Sequence, residues 1–318
     1  MHFAYAGHGD RWCASNYSKS ASMLRSLASR ARTLQTRLLS TAAAPPPSSV
    51  MRWAVGGWSF FIVENVVLSQ NRSTIIELLE DDERESRYHA LYGTISTAAC
   101  ASIGYAYLFK VRGAEPLLWS LSATPPLWRL ALGFGLQALG LAAMAQSLPK
   151  LQSPVTTVAA PPPAANQQQQ QQATAMRAQC PFDFAEAGDA RGVGTDESGP
   201  RGLARVTRHP GFWSLGAVCL GAAVAVPSVP QAAWLAMPTA VALIGGAHAD
   251  YRHRRGLGKT LPPELDAATS NVPFVAMLLG AQAGSAGAAF SALADEVKGS
   301  NAVAGVAVAL VWTLRRIR

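Results

Sequence analysis

Seven runs of apolar residues divide this chain, at about 51–69, 89–109, 127–147, 211–228, 232–249, 272–291 and 299–314. Each is bounded by charged or turn-forming residues, and each is long enough for a helix rather than a strand. A helix that crosses a bilayer needs roughly 17–25 residues, which several of these runs only just reach. The sixth, with AQAGSAGAAFSALA inside it, is rich in small residues that suit close helix packing as well as spanning. The pattern predicts an all-α, multi-pass transmembrane bundle of six to seven helices.

Composition agrees with a lipid-facing body. Hydrophobic residues make up 49% of the 318 residues and charged residues only 14%, against about 25% in soluble domains. The net charge of +8 lies between apolar runs and not in the basic patches of a nucleic-acid binder, so no nucleic-acid partner is expected. If the runs alternate across a membrane, one side collects Arg72, Arg84, Arg87, Lys150, Arg177, Arg191, Arg201, Arg205, Arg208, Arg252, Arg254, Arg255, Lys259 and the terminal RRIR. The other side of the mature chain keeps little beyond Arg52, Lys110, Arg112 and Lys298. That asymmetry is the positive-inside pattern, and it depends on the seven-span count.

Two stretches stand apart from the body. Residues 11–63 hold no acidic side chain, while Arg11, Lys19, Arg25, Arg30, Arg32 and Arg37 supply positive charge. Leu24, Leu27, Ala31, Leu34 and Leu38 recur at helical spacing, with serines between and AAAPPPSS at the end. Residues 1–50 therefore read as a targeting presequence, with the mitochondrial inner membrane favoured over a chloroplast membrane. Residues 150–200, with a Pro cluster and six consecutive glutamines, read as a disordered low-complexity insertion. It parts a first half, 51–149, from a second, 201–318.

Polar residues at membrane depth mark the candidate chemistry. Glu64 and Asn65 interrupt WSFFIVENVVLS, where an ionisable group is costly and either functional or structurally paired. The stretch 75–89, IIELLEDDERESRYH, reads as a surface helix whose Arg87 and His89 reach toward the same pocket. In RGLARVTRHPGFWSLG (201–216), Arg205 and Arg208 share a side if helical, and Pro210 suits a first helical turn. His209 then stands at the helix entrance, and the arginines there can hold a carboxylate, a haem propionate or a phosphate. The alternative is interfacial snorkelling with helix capping.

In GGAHADYRHRRGLGK (245–259), His248 follows two glycines that would let a flat ligand approach, and Asp250 points away from it on a helix. His248 is a candidate haem ligand or a packed helix histidine. Cys13, Cys100, Cys180 and Cys219 show no CxxC or metal spacing, so neither a disulfide framework nor a zinc site is expected.

Three blocks in order, GLARVTRHPGFWSLG (202–216), ALIGGAHADYRHRRG (242–256) and TSNVPFVAMLLG (269–280), resemble the NnrU family of membrane proteins, which includes 15-cis-ζ-carotene isomerase. The likeness covers most of 51–291 outside the glutamine insertion. It implies a haem b-assisted isomerase-like or redox-linked enzyme acting on a hydrophobic small molecule in the bilayer. The family's first-span histidine falls on Asn65 here, or on Glu64, and its second ligand falls near Ile244 or Gly245. The resemblance thus leaves His248, with His209 or His89, as displaced iron ligands. The pocket it implies is built from Arg205, Arg208, His209, His248, Asp250 and Arg255, with Glu64 or Asn65 facing it.

The RHPxxxxG pattern is also similar to isoprenylcysteine-type membrane methyltransferases, where Arg208 and His209 would serve an S-adenosylmethionine site. Asp250 and Glu264 would then replace the usual acidic pair. A non-catalytic scaffold or assembly factor is the third reading.

Overall fold

A computed structural model describes residues 47–80, 86–120, 125–148, 150–151, 155–159, 174–178, 182–183, 195–196, 199–257, 260–282 and 284–317. The arginines of 11–37, read as a presequence, and the glutamine run lie outside these residues. The chain divides into Met1–Ser49 and Val50–Arg318. In the first unit only 47–49 are described, as the opening turn of helix α1.

The described body is helical. Its first part comprises α1 (Pro47–Gln70), α2 (Arg72–Leu78), α3 (Ser86–Ala106) running into a π-helical turn at Tyr107–Val111, and α4 (Leu127–Gln146). Its second part comprises α5 (Leu203–Val206), α6 (Pro210–Val224), α7 (Val229–Arg254), α8 (Pro263–Ala268), α9 (Val275–Leu278), α10 (Ala286–Glu296) and α11 (Gly299–Ile317). Between the two parts, short antiparallel ribbons pair 150–151 with 182–183, 155–159 with 174–178, and 195–196 with 199–200.

The helices bear out the all-α reading, while a count of six to seven spans is not shown. Among the described residues, α4 and α7 are the single helices long and apolar enough to cross a membrane. The pair Ala286–Glu296 and Gly299–Arg316, bent by 88°, makes a third if it counts as one broken span. Six or seven spans are therefore not what the described residues present. In α1, Arg52, Glu64, Asn65 and Gln70 dilute the apolar run. Helix α6 has 15 residues, about 22 Å of rise against a hydrocarbon core of about 30 Å.

The sixth run is not one helix. Helix α9 stops at Gly280 (φ +70), Gly284 (φ +72) turns the chain again, and the Ser285 hydroxyl caps α10 by accepting from Ala288 N at 3.2 Å. Small residues there made a turn and a cap instead of a span. The 75–89 stretch is likewise interrupted: α2 ends at Leu78, and Glu80 sits at φ +48.

Helices α4, α6, α7 and α11 form the most extensively packed group. Small residues let their backbones touch. A Cβ on Gly133 would stand 2.8 Å from Gly221 O, and one on Gly140 would stand 2.7 Å from Ser214 O. Gly133 and Gly140 are two turns apart, as are Ser214 and Gly221, so α4 and α6 run antiparallel along one seam of small residues. Gly305 brings α11 onto α4 in the same way, 2.6 Å from Ala142 N.

Helix α1 leans on α3 and α7 through the Trp58–Trp234 edge contact at 5.4 Å and the bond from Trp234 Nε1 to Ile103 O. The outer faces stay apolar. Only 28% of the α4 window and 17% of the α7 window is buried inside the protein, and Leu127, Trp128 and Leu132 are exposed. Such surface is compatible with a bilayer and costly in water.

Candidate functional site

The segment 201–210 is a break between the ribbon region and α6. Helix α5 is a single turn, Thr207 is extended, and Pro210 opens α6 where its missing N–H costs nothing. Because the helix ends at Val206, Arg205 and Arg208 do not share a face. Arg205 turns to α10, where Nε and Nη2 donate to Glu296 at 3.0 and 2.8 Å, and Gly202 N donates to the same carboxylate. Arg208 turns to α7 and α8.

Arg208 is the centre of a buried network. Its Nη1 lies 2.8 Å from Asp250 Oδ2 and 2.8 Å from Asp266 Oδ1. Its Nη2 donates to Thr269 O at 2.7 Å and Asp266 O at 3.2 Å. The second oxygen of Asp250 meets His209 Nε2 at 2.8 Å. Asp266 is gripped from outside by Arg254 at 2.6 and 2.8 Å. The result is a chain, His209–Asp250–Arg208–Asp266–Arg254, that alternates bases with carboxylates. The side chains of Arg208 and Asp250 are only 10% and 6% exposed, so each needs the other. The Arg254 hydrogen bonds, and behind them the Arg208 charge, hold the Asp266 carboxyl below the usual carboxylate range despite its partial burial.

Backbone bonds tie the same segment to 269–274. Arg208 N donates to Ser270 O, Phe274 N to Val206 O, and Thr207 Oγ1 to Asn271 O. Asn271 continues the strap by accepting from Trp213 Nε1 at 3.1 Å and donating to Leu243 O at 2.9 Å. At this crossing α7 must be bare. A Cβ on Gly246 would lie 2.3 Å from Asn271 Oδ1 and 2.9 Å from His209 Cδ2. The space beside Gly246 is filled by the protein's own Asn271 and His209.

The remaining candidates are distributed. His248 leaves α7 on another face and bonds Ser69 Oγ of α1 at 2.7 Å. Arg255 lies 4.3 Å over the Tyr251 ring, and His89 sits edge-on to Tyr88. Glu64 and Asn65 bond Ser96 and Tyr92 of α3. The residues expected in one pocket are thus spread over separate places, and of them only Arg208, His209 and Asp250 meet. Asp266, Arg254, Asn271 and Glu296, which complete the network, were not among the sequence candidates. An apolar body with few acids was the available signal, since a buried arginine there must find a carboxylate.

A cavity of about 400 Å³ lies between α4, α6 and the start of α11, roofed by α5 and by Pro273 and Phe274. Leu136, Leu139, Trp213, Ala217, Leu220 and Phe274 give it an almost wholly hydrocarbon wall. Thr207 and Pro210 belong both to this wall and to the segment that carries Arg208 and His209. The network is therefore the floor plate of the cavity's roof, not its lining.

The family resemblance implies haem, and the two candidate imidazoles do not fit it as they stand. His209 Nε2 is engaged by Asp250 and His248 Nε2 by Ser69, on different helices. Among the described residues no group of three or more His, Cys, Asp or Glu could hold a metal ion. Comparison with protein-family models, characterised proteins and solved structures returns no match.

Proposed function

We propose that this chain is a membrane protein of the NnrU type that takes a hydrophobic small molecule into the cavity beneath 203–210. The observation that carries this reading is the cavity itself. Its volume of about 400 Å³ falls in the range of small-molecule sites, roughly 300–1,000 Å³, and its wall suits a ligand with an apolar body. The basic, acid-poor composition of 1–50 supports a targeting presequence and favours the mitochondrial inner membrane over a chloroplast membrane.

The wall offers the hydroxyls of Thr207, Ser214 and Thr239, and no imidazole, carboxylate or thiol. That supports holding and presenting a hydrophobic molecule. Isomerase-like or redox-linked chemistry on it would need a reactive group from beyond this wall. A charged sulfonium cofactor gains nothing from hydrocarbon, so methyl transfer draws no support from the cavity.

Ala217 lies midway along the α6 side of the cavity, and a phenyl ring there projects into it and narrows it. Organic extraction of detergent-purified protein, followed by mass spectrometry, should release an apolar compound from the wild type at near-stoichiometric yield. The yield should fall at least tenfold in Ala217→Phe at unchanged fold. Equal yields from both proteins would remove the cavity as the site.

A further inference from the structure

Away from the cavity, α1 and α3 hold a polar cluster with one conspicuous defect. Glu64 is 5% exposed, and its Oε1 accepts from Asn65 Nδ2 at 2.6 Å and from Ser96 Oγ at 2.8 Å. The Tyr92 hydroxyl donates to Asn65 Oδ1 at 2.5 Å. Tyr92 and Ser96 stand one turn apart on α3, so a single helix face supplies both groups. The other carboxylate oxygen, Oε2, is buried with no hydrogen-bond partner. No basic side chain is among the partners of Glu64.

A bare, ionised oxygen away from water is costly unless a positive charge sits on it. Every neighbour in the cluster is neutral, so one unit of charge is all that is missing. We infer that Glu64 Oε2 takes a small monovalent cation, an alkali ion or a proton, beside the neutral cluster that Asn65, Ser96 and Tyr92 form on Oε1. Carboxylate, amide and hydroxyl oxygens are the hard donors that such an ion prefers. A divalent ion would leave one charge uncompensated. Neither the cavity nor the Arg208 network touches this cluster, so the inference stands apart from the proposed ligand site.

Other titratable groups bonded to this stretch of α1 are Tyr88, through Leu68 O at 3.2 Å, and His248, through Ser69 at 2.7 Å. Both persist in Glu64→Gln, which therefore isolates the carboxylate. Two measurements on the purified full chain decide the matter. The first is melting temperature in sodium chloride against N-methylglucamine chloride at equal ionic strength. The second is labelling of Glu64 by a hydrophobic carbodiimide, with and without sodium.

Saturating sodium should raise the wild-type melting temperature by roughly 2–5 °C, leave Glu64→Gln unmoved, and suppress labelling. Labelling of Glu64 that ignores sodium identifies the occupant as a proton. If Glu64→Gln fails to fold, the labelling of the wild type decides alone. No labelling of Glu64, together with no sodium effect specific to the wild type, overturns the inference.

Discussion

Asp250 carries more of the site than any other residue, because it is the one carboxylate that both Arg208 and His209 reach. Replacing it with Asn takes one of two carboxylates from the buried Arg208 guanidinium, leaving Asp266, and takes the charged partner from His209, at a cost of about 1.5–3 kcal/mol. Asp250→Asn should therefore lower the melting temperature by roughly 4–10 °C. A loss under 2 °C would mean that the network is better solvated than its burial says. At this scale the sequence showed much of the truth. His248 and Asp250 were legible as facing different ways from helical geometry alone, and the structure sends them to Ser69 and to Arg208. The Gly245–Gly246 pair was legible as a close approach, but not what approaches: Asn271 is 25 positions on, and only the tertiary fold brings it there.

At the scale of elements, Pro210, Gly280, Gly284 and Ser285 act as punctuation. Pro210 was readable in advance because proline in a first helical turn has one meaning. Gly284 and Ser285 were not, because small residues serve a packed span and a turn equally well. Arg205 and Arg208 illustrate the same gap. Their spacing puts them on one side only if the helix continues, and it stops between them.

The element most exposed to solvent conditions is α8, which docks through Asp266. Since that carboxyl gives up its proton more readily folded than unfolded, its contribution is complete above the ordinary Asp range. It is lost as pH falls through and below that range. Wild-type melting temperature should drop between about pH 5 and pH 3. Asp266→Asn should start lower at neutral pH and show a smaller drop. Parallel pH profiles for the two proteins would show that Asp266 contributes nothing to the strap.

For the whole molecule, the apolar runs predicted helices almost everywhere the described residues form them, yet only two of these helices, or three with the bent pair, are long and apolar enough by themselves to cross a bilayer. Length explains α6, and polar residues explain α1. What no linear pattern could show is the cavity, because its wall comes from six helices and the loops between them, far apart in sequence. Its position beneath 203–210 gives the ion network a plain role. The network fixes the roof over a space that hydrocarbon alone would not hold open.

Photolabelling with an apolar diazirine probe in reconstituted membranes, with adducts mapped by mass spectrometry, tests that claim most directly. The account predicts saturable adducts on the cavity wall, at Leu136–Gly140 of α4 and Trp213–Leu220 of α6, that disappear in Ala217→Phe. Adducts confined to outward residues such as Leu127 and Val303, rising in proportion to probe without saturation, would show a lipid-bathed surface and no site.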